Sequence, residues 1–179
     1  MKVSAAIRTP SGAAFLEAVV ESTAIFGGIM SLIQPELYET GMVGMRRLWA
    51  DPSLVETPSF LREVMELWSV PFNGLSVIAN RSTPLHHDCN SWKEWMDLLV
   101  ALGRYNEGLM TLPGLGLQLQ YNPGTIVGIV GQVLQHGVEC DGERACLAYY
   151  MRDKVHERLG LRAPSWFNIN GHIIYSSQS

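Results

Sequence analysis

Two periodicities divide the chain. Up to about residue 70, apolar side chains return every three or four positions in SGAAFLEAVVESTAIFGGIMSLI, QPELYETGMVGMRRLWA and TPSFLREVMELWSV, a spacing that predicts three helices. Thr57 is placed to cap the third, with Pro58 at its first helical position, where a missing N–H removes no intrahelical bond. From PFNGLSVIANR onward the pattern becomes a series of short β-type runs: LSVIANR, TPLHHD, GLMTL, GLQLQY, GTIVGIVG and ACLAYYM. Between them LPGLG and NPG read as tight turns, Pro setting φ and Gly taking the positive-φ position. The segment SWKEWMDLLVALGRY fits either a helix or a strand with its lead-in loop. Seven or eight short strands after a helical half predict an α+β fold, an antiparallel jelly roll backed by N-terminal helices. The expected division is a helical scaffold over residues 1–72, packed on a β core over 73–179, within one structural domain.

Composition narrows the range of partners. The chain has 179 residues, 47% of them hydrophobic, enough to bury one core. Charged residues make up only 17% and the net charge is -4, so the surface as a whole is not built to grip a polyanion, and any such contact needs a local groove. Cys89, Cys140 and Cys146 are odd in number and show no CxxC spacing, which fits a reducing compartment and neither a disulfide framework nor a zinc ribbon. Glu17 and Glu21 interrupt the apolar N-terminal run, which therefore reads as an amphipathic helix and not as a signal peptide or membrane span. A monomer without membrane contact is expected.

Candidate chemistry concentrates in NRSTPLHHDCNS, residues 80–91. If TPLHHD is a strand, His86 and Asp88 point one way and His87 the other. His136, in VLQHGVE, ends a late strand on this reading. Two histidines and one carboxylate on one face of a jelly roll make the facial triad that holds Fe(II) with open coordination positions. The competing reading is an exposed His–Asp pair without a metal. In ERACLAYYMRD, Arg144 opens a strand whose alternation sets Arg144, Cys146, Ala148, Tyr150 and Arg152 on one face. A buried arginine there needs an anion, and a dicarboxylic cosubstrate such as 2-oxoglutarate offers one, whereas an exposed arginine pairs with Glu143 or Asp141.

SVIANRSTPLHHDCNS, LPGLGLQLQYNPGTIVGIVGQVLQHGV and DGERACLAYYMRDKVHERLG, taken in order, resemble the TET/JBP branch of the 2-oxoglutarate and Fe(II)-dependent dioxygenases, in particular its fungal, transposon-associated members. The resemblance covers about residues 73–160. It implies a double-stranded β-helix, the cupin-like jelly roll, in which His86, Asp88 and His136 hold Fe(II) and Arg144 grips the distal carboxylate of 2-oxoglutarate. Arg81 matches a position near the cosubstrate, and Cys146 falls where relatives often carry serine. Asn90 and Ser91 fall in the base-reading segment, Tyr150 matches an aromatic that stacks on an extruded base, and Arg152 stands where others have histidine. Ala148 leaves room for a methyl group. The reaction implied is dioxygen-dependent oxidation of the methyl group of a modified base in DNA, first 5-methylcytosine to 5-hydroxymethylcytosine, by a nuclear protein.

Three other functions compete: an iron hydroxylase acting on protein or a small molecule, a degenerate module of the same fold, and a zinc hydrolase. The complete set of His86, Asp88, His136 and Arg144 speaks against degeneration, and no general base stands beside the histidines for a hydrolase. The basic run RDKVHER, with His156, reads equally as a solvated helix face or a phosphate contact.

Overall fold

The computed structural model describes residues 1–80, 83–89 and 91–165. Its chain forms two compact units, Met1–Pro71 together with the segment from Val155 onward, and Phe72–Lys154.

The first unit carries the three helices expected from the 3.6-residue period: α1 (Pro10–Ile33), α2 (Pro35–Ala50) and α3 (Pro58–Leu67). Each begins with proline, and α1 is closed at its start by Thr9, whose side chain accepts from Gly12 N at 3.1 Å. Thr57 does occupy the N-cap position of α3 but makes no capping hydrogen bond, so the proline alone marks that start. By length and composition α1 is apolar enough to cross a membrane; Leu16, Phe26 and Met30 are buried while Ile25 and Leu32 are exposed. Leu48, Val55, Leu61 and Leu159 form a core with Met45, Met65, Val155 and Leu161 around it. His156 is buried as well, and burial pushes its imidazole down to about 4. It is thus a neutral core histidine, neither solvated nor placed for phosphate, because the short helix α4 (Asp153–Arg158) turns it inward while Lys154 and Arg158 stay exposed.

The second unit is an antiparallel sheet built on two long strands. β3 (Asp97–Leu112) and β6 (His136–Tyr150) pair along their length, and four short strands flank them: β1 (Gly74–Ala79), β2 (Thr83–His86), β4 (Leu117–Gln120) and β5 (Ile126–Ile129). β1 pairs with residues 145–150 of β6, and β5 with residues 97–100 of β3. At the other end β2 pairs with residues 136–138 of β6, and β4 with residues 109–112 of β3. The ribbon therefore carries two four-stranded layers, β1-β6-β3-β5 and β2-β6-β3-β4. Between them its register slips at Asn106/Leu109, with Glu107 at a φ of 55° and Gly103 at 124°. Ala101 and Ile129 of one layer and Met110, Leu112 and Val138 of the other enclose one apolar core with Tyr121, so the layers face each other as in a jelly roll.

The ambiguous segment SWKEWMDLLVALGRY thus contains the start of β3. His136 opens β6 and does not end a strand, and Arg144 lies in its middle instead of at its start. The polar stretch ECDGE, which breaks the apolar alternation, stays in the strand because its backbone pairs with β3, as in Asp141 opposite Asn106 and Glu143 opposite Arg104. Arg152 lies two residues past the end of β6, outside the alternation that Arg144, Cys146, Ala148 and Tyr150 share.

Candidate active site

β2 and β6 set the first two side chains. Their register places His86 opposite His136, and the ring centroids lie 4.3 Å apart. Asp88 follows two residues later, past the end of β2, where its N–H donates to Gly131 O at 3.0 Å. Its carboxylate reaches both rings, Oδ1 lying 3.6 Å from His86 Nε2 and Oδ2 3.7 Å from His136 Nε2. One donor atom from each of His86, Asp88 and His136 falls within 4.8 Å of the others.

Backbone carbonyls orient both imidazoles. His86 Nδ1 lies 2.9 Å from Pro84 O and His136 Nδ1 3.0 Å from Leu134 O. A proton on each Nδ1 satisfies those carbonyls and leaves the Nε2 lone pairs turned to the carboxylate, the arrangement a metal-binding histidine requires. His87 is turned away, its Nδ1 3.1 Å from Gln132 O. Gly131 completes the cradle: a Cβ there would lie 2.0 Å from Asp88 Oδ2 and 3.2 Å from His136 Cε1. Two imidazole nitrogens and one carboxylate oxygen on one side of a point suit Fe(II), and the group fits the residues present.

Arg144 lies on the inner side of β6, only 6% exposed. Its Nη1 donates to Thr83 Oγ1 at 3.3 Å, and its guanidinium carbon stands 5.5 Å from the centre of the Tyr121 ring. Burial first, and Cys146 next, hold the Tyr121 hydroxyl above the usual phenol range, so the ring under the guanidinium is uncharged. Tyr121 Oη and Cys146 Sγ are 3.6 Å apart, which ties Cys146 to the same wall. A buried guanidinium braced from two sides is prepared for a bidentate carboxylate.

Further along β6, Ala148 opposes Ser76 on β1 and Leu99 on β3, and Tyr150 opposes Gly74. A Cβ at position 74 would stand 2.4 Å from Tyr150 Cε2, so glycine is what allows the ring to lie across β1. Arg152 Nη2 donates to Tyr150 Oη at 2.9 Å, its N–H donates to Asn73 Oδ1 at 2.8 Å, and its guanidinium carbon lies 5.1 Å from the ring centre. Ser91 N donates to Asp88 O at 3.1 Å, closing the turn after the carboxylate, and Ser91 Oγ is buried without a partner among the described residues. Arg81 and Asn90 lie outside the described residues.

Thr83, Tyr121, Gly131 and Asp97 belong to the same region and escape a reading by motif. Gly131 looks like one more turn residue in GIVGQVLQH, and Tyr121 like the end of a run before NPG. Asp97 is hidden in the segment whose secondary structure the pattern leaves open. The one available signal was an aspartate beside the apolar run LLVAL, where a strand would bury it.

Residues 2–153 match the family model Tet_JBP, described as the oxygenase domain of the 2OGFeDO superfamily. No curated protein matches the chain. Among solved structures, NgTET1 in complex with 5mC DNA is similar in fold, with a TM-score of 0.60 at 14% identity over 98% of this chain. The similarity spans 63% of that protein.

Proposed function

The chain belongs to the Tet/JBP family of 2-oxoglutarate and Fe(II)-dependent dioxygenases, and from that membership we propose that it oxidises the methyl group of a modified base in DNA, with 5-methylcytosine the first substrate to test and further oxidation of the hydroxymethyl product within its range. The observation that carries the reading is the convergence of His86, Asp88 and His136, with both Nε2 atoms turned to the Asp88 carboxylate, on the strand that also carries the buried Arg144. The fold shared with a protein solved on 5mC DNA supports the choice of substrate class.

In this reading His86, Asp88 and His136 hold the iron. Iron bound there together with 2-oxoglutarate would supply the oxidising power for a dioxygen-dependent attack on a C–H bond. Arg144 holds the distal carboxylate of the cosubstrate, with Thr83 fixing one arm of the guanidinium, while Cys146 completes that end. The base leaves its stack to enter the pocket. Tyr150 offers a face for it, Ala148 leaves space for its methyl group, and Ser91 and Arg152 address its edge and flank. With a net charge of -4, recognition rests on the extruded base more than on the phosphate backbone. Such a protein works in the nucleus and acts as a monomer.

The test has two stages. Anaerobic addition of Fe(II) and 2-oxoglutarate should produce the visible absorbance of the chelate, which requires the whole site. Aerobic incubation with methylated oligonucleotides should then yield a hydroxymethyl product by mass spectrometry. A protein that forms the chelate and leaves every methylated oligonucleotide unchanged, while hydroxylating a peptide or a small molecule, would overturn the choice of substrate.

A further inference from the structure

Asp97 is a carboxyl residue only 6% exposed, and its Oδ1 has no hydrogen-bond partner among the described residues. A buried oxygen in that condition carries the full cost of its lost water, and native folds seldom leave one so without a function. Its position is informative. Asp97 is the first residue of β3 and opposes Ile129 on β5. Leu98 opposes Tyr149 on β6, so the same register brings Asp97 to the level of Tyr150. The pleat gives Asp97, Leu99 and Ala101 one face, and the residues opposing the latter two are Ala148 and Cys146. That face carries Arg144 and borders the core of Ala101, Ile129 and Tyr121.

We propose that Asp97 reads the Watson–Crick edge of the extruded base, its carboxyl accepting from one edge N–H and donating to the acceptor beside it. This assignment rests on the nucleobase reading above. The electrostatics agree with it: burial, then the charges of Asp88 and Asp153, push the Asp97 carboxyl up to about 8, so at neutral pH it carries both a donor and an acceptor. Asp153 already accepts from Trp95 Nε1 at 2.5 Å, whereas Asp97 Oδ1 accepts from no group among the described residues. The acceptor N3 and the donor N4–H of cytosine are adjacent and match a neutral carboxyl. Pairing with an uncharged edge also avoids burying a net charge.

The experiment is a two-by-two cycle with the iron- and 2-oxoglutarate-loaded protein, wild type against Asp97→Leu, on oligonucleotides carrying 5-methylcytosine or 5-methyl-2-pyrimidinone, which lacks the N4 amino group. Removing either partner should lower kcat/KM by about tenfold or more, and removing both should cost little beyond the first loss. Anisotropy of the same oligonucleotides on the Mn(II)-loaded protein should show the parallel loss in binding, and Asp97→Asn, which keeps a donor and an acceptor, should stay within a fewfold of wild type. Additive losses, or an Asp97→Leu protein that handles both bases as wild type does, would overturn the assignment while leaving the nucleobase reading intact. If Asp97→Leu fails to form the iron chelate, Asp97→Ser replaces it in the cycle, and loss of the chelate in that variant too would mark Asp97 as a core residue and overturn the proposal. A wild type that forms the chelate but neither binds nor oxidises any methylated oligonucleotide would overturn both readings together.

Discussion

The two ends of β6 are built differently. Around His136 the polar groups find partners within the chain: both histidine Nδ1 atoms face carbonyls, Asp88 N–H donates to Gly131 O, and a glycine fits under the carboxylate. Around Tyr150, by contrast, the buried Asp97 Oδ1 has no partner among the described residues. A metal site must be rigid before the metal arrives, because misplaced ligands weaken it steeply, and its orienting hydrogen bonds are therefore internal. A substrate pocket must instead offer polar atoms that the substrate satisfies. On the proposed reading β6 serves both demands, with the braced guanidinium of Arg144 between them.

The contrast breaks first at Gly131. Replacing it with alanine puts a methyl group where Asp88 Oδ2 now lies, so the carboxylate must swing away from both rings. Fe(II) affinity should fall by roughly 10–100-fold, the range for disturbed orientation around metal ligands. The chelate absorbance measures this directly. Unchanged iron affinity in Gly131→Ala would show that the ligand end is as adaptable as the substrate end.

Arg144 sharpens the comparison in the middle of the strand. Lysine keeps the charge but loses the planar fork, so Arg144→Lys should raise the 2-oxoglutarate requirement by about tenfold, in line with the loss of a charge-assisted bidentate contact. Iron affinity, set 8 residues away at His136, should hardly move. Titration of the cosubstrate at saturating iron separates the two. Equal losses in iron and 2-oxoglutarate binding would mean that the ends of β6 are not independent.

These properties were unequally legible in the sequence. The helices of the first unit follow from apolar spacing alone, since each is long enough for the 3.6-residue period to repeat. The candidate pair His86 and Asp88 follows from strand alternation, although Asp88 lies beyond the end of β2, held by Gly131 and not by the pleat. Distant pairing was hidden. That β6 runs unbroken through ECDGE depends on β3, 30 or more residues earlier, and no local pattern reports it. Arg144 could be suspected of burial, but its supports, Thr83 and Tyr121, come from other strands and are visible only once the two layers close.

A third prediction concerns pH. Asp97 has an ordinary value of 3.8 when unfolded and is held at about 8 by burial, with the charges of Asp88 and Asp153 as the lesser causes. Between those values the unfolded chain has released the proton and the folded one still binds it, so folding stability falls as pH rises from about 4 to about 8 and levels off above. Asp97→Asn has no proton to lose there. Its melting temperature should therefore gain on wild type through that window, by about 2–4 °C for each kcal/mol at this chain length, and run parallel above it. Iron on Asp88 removes one of the lesser causes and should lower the pH at which the gap stops widening, which melting curves with and without a chelator compare. Parallel curves for the two proteins from pH 4 to 8 would mean that Asp97 ionises freely, and that the substrate end of β6 is wetter than its burial implies.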